Sequence, residues 1–102
     1  MTRSEKIESE FRSRNLYSHN IIMLSPSDAC EMIRRAEGET VDILGIDAFF
    51  LRDGGHVQPS MEHSCDYSAY GHPTDSVWND AIAFVQENAP HGLVFEIVLG
   101  DL

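Results

Sequence analysis

The 102-residue chain sets seventeen acidic side chains against seven basic ones, a formal charge of −10. So acidic a surface repels phosphate, which excludes nucleic-acid binding and docking to anionic membrane. Its ordinary apolar fraction and its length suit one ordered domain spanning 1–102, with enough surface to bury for a real core.

The charge is also uneven. Residues 1–35 hold six cations and five acids, whereas residues 36–102 hold twelve acids and the single cation Arg52. A body of this sign favours a cationic partner or solvent. The longest apolar runs, Ile43–Leu51 and Leu93–Leu99, are interrupted by Asp47 and Glu96 and are too short to span a bilayer. Met1–Phe11 is polar and mixed in charge, unlike a secretory leader, so the cytoplasm is the expected compartment.

Residues 1–20 are expected to be less ordered or to form a short helix, with Ile7 and Phe11 four apart on one face. Ile21, Ile22 and Leu24 in the following connector are expected to cover the core. A helix is predicted over about 26–37: Ser25 caps it, Pro26 takes the first position and Asp28 stands three after the cap. Ala29, Met32, Ile33 and Ala36 make its apolar stripe, Arg34 and Arg35 suit the negative end of its dipole, and Gly38 can stop it.

A long strand follows over about 41–52, apolar on both faces, and Asp53-Gly54-Gly55 supplies a hairpin turn. The returning strand, His56–Gln58, is expected to end at Pro59, which cannot donate to a ladder, with another short strand at Met61–Tyr67. Thr74 or Ser76 caps a second helix over about 75–88 whose buried stripe is Trp78, Ala81, Ile82 and Val85. The last strand is placed at about 93–99. The expected fold class is therefore α+β: a small antiparallel sheet, its central hairpin at about 41–58, covered by the helices at about 26–37 and 75–88.

Catalytic motifs are missing from this string. No G-x-S-x-G elbow, P-loop or dinucleotide fingerprint is present, so no catalytic residue is assigned and the protein is not expected to be an enzyme. His56, His63, Cys65, Asp66 and His72 cluster within seventeen positions, and imidazole and thiolate are zinc donors. The spacing matches no paired-ligand motif, so no metal or cofactor is expected, and a small metal-dependent enzyme or zinc-binding domain using the 56–72 cluster stands as the alternative.

Protein binding remains. Tyr67 and Tyr70 stand among Asp66, Asp75 and Glu62 in a loop-rich stretch, a combination suited to lysines and arginines of a partner. Asp80 and Glu87 on the open face of the second helix extend the negative surface, and Asp53 at the hairpin tip is a further contact. Asp47 reads differently: inside an apolar strand it either reaches solvent at a bulge after Gly45 or accepts hydrogen bonds that order the hairpin.

Leu44-Gly45-Ile46-Asp47-Ala48-Phe49-Phe50, the Asp53-Gly54-Gly55 turn, Gln58-Pro59-Ser60, Cys65-Asp66-Tyr67-Ser68 and the closing Phe95-Glu96-Ile97-Val98-Leu99 form one pattern over about residues 25–99. It resembles the immunity proteins of bacterial polymorphic-toxin and contact-dependent growth inhibition systems, in particular the kind called immunity protein 40. Asp47 stands where that pattern has glutamate, and Cys65 where it has an aliphatic residue. The resemblance implies a non-enzymatic inhibitor that occupies a cognate toxin domain. A basic nuclease fits best, because carboxylates would take the place of its substrate's phosphates. An acidic adaptor subunit for another basic partner is the remaining alternative.

Overall fold

The computed structural model describes residues 1–17, 20–67 and 77–100. Three helices, α1 (Arg3–Phe11), α2 (Pro26–Gly38) and α3 (Val77–Asn88), accompany three strands, β1 (Asp42–Leu51), β2 (Val57–Asp66) and β3 (Leu93–Gly100). The sheet is antiparallel with β1 in the centre, in the order β2-β1-β3. The fold is α+β, with α2 and α3 packed on one face of the sheet and α1 against α2.

The first two helices begin where the sequence provides a cap. Thr2 accepts from the Glu5 amide while Glu5 reaches back to the Thr2 amide, a reciprocal capping box ahead of α1. Ile7 and Phe11 are buried, so this helix is part of the core rather than a fringe. Ser25 caps α2 through the Asp28 amide at 3.3 Å. The far end of α2 departs from expectation. It closes not on Gly38 but two residues later, on Thr40, which takes a left-handed φ of 55°. Val41 N–H donates to the Ala36 carbonyl and Thr40 N–H to that of Glu37, the two bonds of a Schellman closure. The cap of α3 expected at Thr74 or Ser76 lies outside the described residues.

The core fills the space between helices and sheet. Ile33, Ala29 and Met32 of α2 and Ala81 and Val85 of α3 meet Ile43, Ile46 and Ala48 of β1 and Leu93, Phe95 and Ile97 of β3. Burying each of the larger side chains is worth about 1.5–3 kcal/mol. Trp78 joins the layers: its indole N–H donates to the buried Val41 carbonyl at 2.9 Å. Before β3, Leu24 exchanges two backbone bonds with Phe95 at 2.8 and 2.9 Å and covers part of that edge. Ile22 and Leu24 are buried as expected, but Ile21 is exposed. Asn15 holds this connector by donating to the Ile21 carbonyl and accepting from the Met23 amide.

Two irregularities shape β1. Opposite β3 the pairing steps from Ile43↔Leu99 to Gly45↔Val98, so one residue of β1 is extra. That bulge re-phases the strand, which is why Ile43 and Ile46 are both buried although they are three apart. Opposite β2 the step runs from Ile46↔Cys65 to Ala48↔Ser60, leaving residues 61–64 bowed out. Ser64 fills the gap, accepting from the Ala48 amide at 2.9 Å and donating to the Ser60 carbonyl at 2.7 Å. The expected break at Pro59 is corrected here. The return strand continues through it, because β2 is an edge of the described sheet and its proline pairs with Phe49 without needing an outward donor. Gly54 and Gly55 make the turn with φ of 77° and 78°.

Candidate functional site

The pleat assigns the remaining side chains. With Ile46, Ala48 and Phe50 turned to the helices, Asp47, Phe49 and Leu51 point to the opposite face, as do Val94, Glu96 and Val98 between the core residues of β3. No described helix covers this outer face. It is unusually apolar and open over part of its length: Val94 is buried, Leu44, Phe49 and Val98 are only half-buried, and Leu51 and Met61 are exposed. A groove of about 450 Å³ runs along it. Leu44 and Val98 supply apolar lining, and Asp47, Asp66, Met61 and Ser64 line it too.

Of the two readings of Asp47, solvent exposure at a bulge is the one observed. It follows the bulge and is exposed, and it lies directly opposite Glu96. Burial, then the negative field and hydrogen bond of Asp47 and the field of Glu8, push the Glu96 carboxyl up to about 7. Glu96 can therefore keep its proton near neutrality and donate it in a hydrogen bond to Asp47. A smaller cleft of about 80 Å³ lies beside it, where Glu8, Asn20 and Ile22 meet Glu96 and Ile97.

The described residues among those expected to bind a partner are not gathered in one place. Asp53 is exposed at the hairpin tip. Glu62 is exposed in the bowed part of β2, and Asp66 lies at the end of that strand within the groove. Tyr67 is half-buried against the core, and its amide donates to the Leu44 carbonyl at 2.8 Å. Asp80 and Glu87 are exposed on α3, in the helical layer across the sheet from the groove. Asp80 also has a local role, since a carboxylate in a helix's first turn complements the dipole. Tyr70 and Asp75 lie outside the described residues.

The described members of the histidine and cysteine cluster do not assemble into a metal site. His63 stacks at 4.6 Å from His91 and edge-on to Phe50, with Ser60 Oγ 2.7 Å from its Nδ1. Cys65 turns to the core instead, and burial pushes its thiol pKa up, as it does for Cys30. A thiol so held is a poor nucleophile and a poor ligand. Among the described residues no three histidine, cysteine or acidic side chains converge as a metal site. His72 lies outside them.

Ion pairing is as uneven as composition. Among the described residues, the ion pairs join Arg14 to Asp28 and Glu31, Arg34 to Glu37, and Arg35 to Glu10 and Glu39. All lie within residues 10–39. Arg52, the single cation beyond, donates to Gln58 Oε1 at 2.8 and 3.1 Å and lies over the Phe50 ring at 4.8 Å. Asp42, Asp47, Asp53, Glu62, Asp80, Glu87 and Glu96 have no ion pair with a described cation. No described helix is long and apolar enough to cross a membrane.

Sequence reasoning overlooked Leu44, Met61, Ser64, Glu96 and Val98 as a surface. The available signal was the lone acid inside each of two apolar strands. Compared with protein-family models and with curated proteins, the chain matches no family model and no curated sequence.

Proposed function

We propose that this chain is an immunity-type inhibitor, a non-enzymatic protein that binds and neutralises a cognate toxin domain with a basic surface, best matched by a nuclease. The observation that carries this reading is the segregation of ion pairs. Arg14, Arg34 and Arg35 are matched by carboxylates within residues 10–39, while Asp47, Asp53, Glu62, Asp80 and Glu87 are exposed and form no ion pair with a described cation. A folded protein gains nothing in stability from such self-repulsion, whereas a cationic partner relieves it on binding. Complementary charge would also speed encounter, toward ~10⁸–10⁹ M⁻¹s⁻¹ at low salt.

The test is co-expression with the protein encoded immediately upstream. The expected result is a salt-sensitive complex and rescue of cells from that protein's toxicity. A complex without rescue would point instead to an adaptor subunit. If the two neither co-purify nor protect cells, the reading fails.

A further inference from the structure

The outer-face groove has an apolar lining and an acidic margin, and each part restricts what it can hold. Leu44 and Val98 lie half-buried along it, and Met61, 84% exposed, stands beside them in the bowed part of β2. Exposed methionine at that level is an adaptable apolar contact rather than a core residue. Asp47 and Asp66 enter the same groove from adjoining strands. An anionic ligand is repelled there, and a purely apolar one leaves Asp47 desolvated without a counter-charge. A guanidinium or ammonium on an apolar stem satisfies both parts, because its methylenes lie along the leucine and valine while its charged end meets the carboxylates.

We propose that the groove beside Asp47 is a docking site for an extended segment of a basic protein, which lays apolar side chains on Leu44 and Val98 and presents an arginine or lysine to Asp47. This rests on reading the chain as a binder of a basic protein, and it moves the principal contact from α3 to the open face of the sheet. An extended segment suits the place because its side chains alternate, so apolar and cationic residues in turn face lining and margin. Glu96 adds a second feature. Asp47 from β1 and Glu8 from α1 are the charged groups that act on it, and both hold its proton in place. A cation arriving at Asp47 opposes them and favours the ionised pair, so binding tightens as the solution is made more alkaline.

The experiment uses the purified full chain and a synthetic peptide alternating valine and arginine, with its citrulline counterpart as the uncharged control. Backbone amide shifts are followed by NMR during titration. The expected result is saturable shifts at Leu44–Asp47, Ser64–Asp66 and Val98, with the arginine peptide bound about tenfold tighter than the citrulline one. Asp47→Asn should remove most of that difference. Met61→Ala, at an exposed position that folding does not depend on, should weaken both peptides severalfold. Affinity should rise between about pH 6 and pH 8 and stay level in Glu96→Gln. Equal binding of the two peptides, or shifts centred on Asp80 and Glu87 or on Asp53, overturns the proposal. Peptide binding at the groove with no complex with the upstream protein removes the toxin and keeps the groove. A protective complex whose shifts lie elsewhere does the reverse.

Discussion

Asp47 and Glu96 face each other across β1 and β3 on the side of the sheet away from the helices, and they share a hydrogen bond. Two carboxyls this close cannot both ionise freely, and the half-buried one yields. Glu96 moves from 4.5 to about 7, chiefly by burial and secondly by the field of Asp47. The folded protein therefore holds a proton in that interval that the unfolded chain has released. The stability linked to it is full below the unfolded value and is lost as pH rises through about 7. Because the site is half-open to solvent, the effect is discounted to on the order of 1 kcal/mol. Glu96→Gln keeps a donor and removes the titration. Urea denaturation should show the variant more stable than the parent at about pH 8 and close to it at about pH 5. An equal difference at both pH values would rule out the proton held on Glu96.

Thr40 closes α2 in a conformation that suits glycine. A β-branched residue at a φ of 55° costs about 1–2 kcal/mol relative to one without a Cβ. Thr40 is exposed, so its side chain returns little by burial. Thr40→Gly should raise stability by about 1 kcal/mol with no change in fold, as measured by the shift in urea midpoint at unchanged slope. A loss of stability would mean that the threonine side chain supports the closure.

This closure also shows where sequence reading stops. The start of α2 was legible because Ser25, Pro26 and Asp28 each act within one turn of the chain. Its end was not, because Gly38 and Thr40 differ in the geometry that Val41 imposes from the core. The same division runs through the sheet. Strands and helices followed from apolar spacing and turn glycines, and all four residues of the stripe read on α3, Trp78, Ala81, Ile82 and Val85, are buried, with the unassigned Val77 beside them. The groove did not follow, because it depends on two bulges. The extra residue near Leu44 puts Asp47 opposite Glu96, and the bowed residues 61–64 bring Met61 and Ser64 beside them. A register shift leaves no local composition signal. Tyr67 shows the same limit, since the acids around it in sequence give no sign that it packs half-buried against the core.

Ser64 replaces a ladder partner at the second bulge. Its hydroxyl accepts from the Ala48 amide and donates to the Ser60 carbonyl, so one side chain satisfies two backbone groups that the bulge leaves over. Ser64→Ala should cost about 1–3 kcal/mol, the range for leaving such groups unsatisfied. Hydrogen exchange should localise the effect, with the Ala48 amide losing protection first. Full protection of that amide in the variant would show that water or the backbone takes over.

Asp80 and Glu87 allow the two acidic surfaces to be separated. Both are exposed on α3, across the sheet from the groove. Reversing both to lysine should slow association with a basic partner severalfold at low salt, through long-range steering alone. The affinity for the alternating arginine peptide should change by less than about threefold, because a short peptide in the groove lies beyond most of their screened field. Asp80→Lys should in addition lower stability by about 0.3–1 kcal/mol by opposing the helix dipole. Stopped-flow association and peptide titration on the same variant check both statements, and a collapse of peptide affinity would move the contact back to α3.

Gly100 lies against the side chain of Leu44, which lines the groove. A Cβ added at Gly100 would stand 2.8 Å from Leu44 Cγ and 2.9 and 3.0 Å from its two Cδ atoms. Contacts that short force the leucine to rotate, and the backbone need not follow because the obstacle is a half-buried side chain. Gly100→Ala should therefore change stability by less than about 1 kcal/mol, since the core on the opposite face is untouched. The displaced leucine alters the lining on which an apolar side chain of the bound segment rests. Peptide affinity should fall severalfold for the arginine and citrulline forms alike, preserving the ratio set by Asp47. A change in that ratio, with the apolar contribution intact, would show that Leu44 acts on the charged end of the ligand and not on its stem.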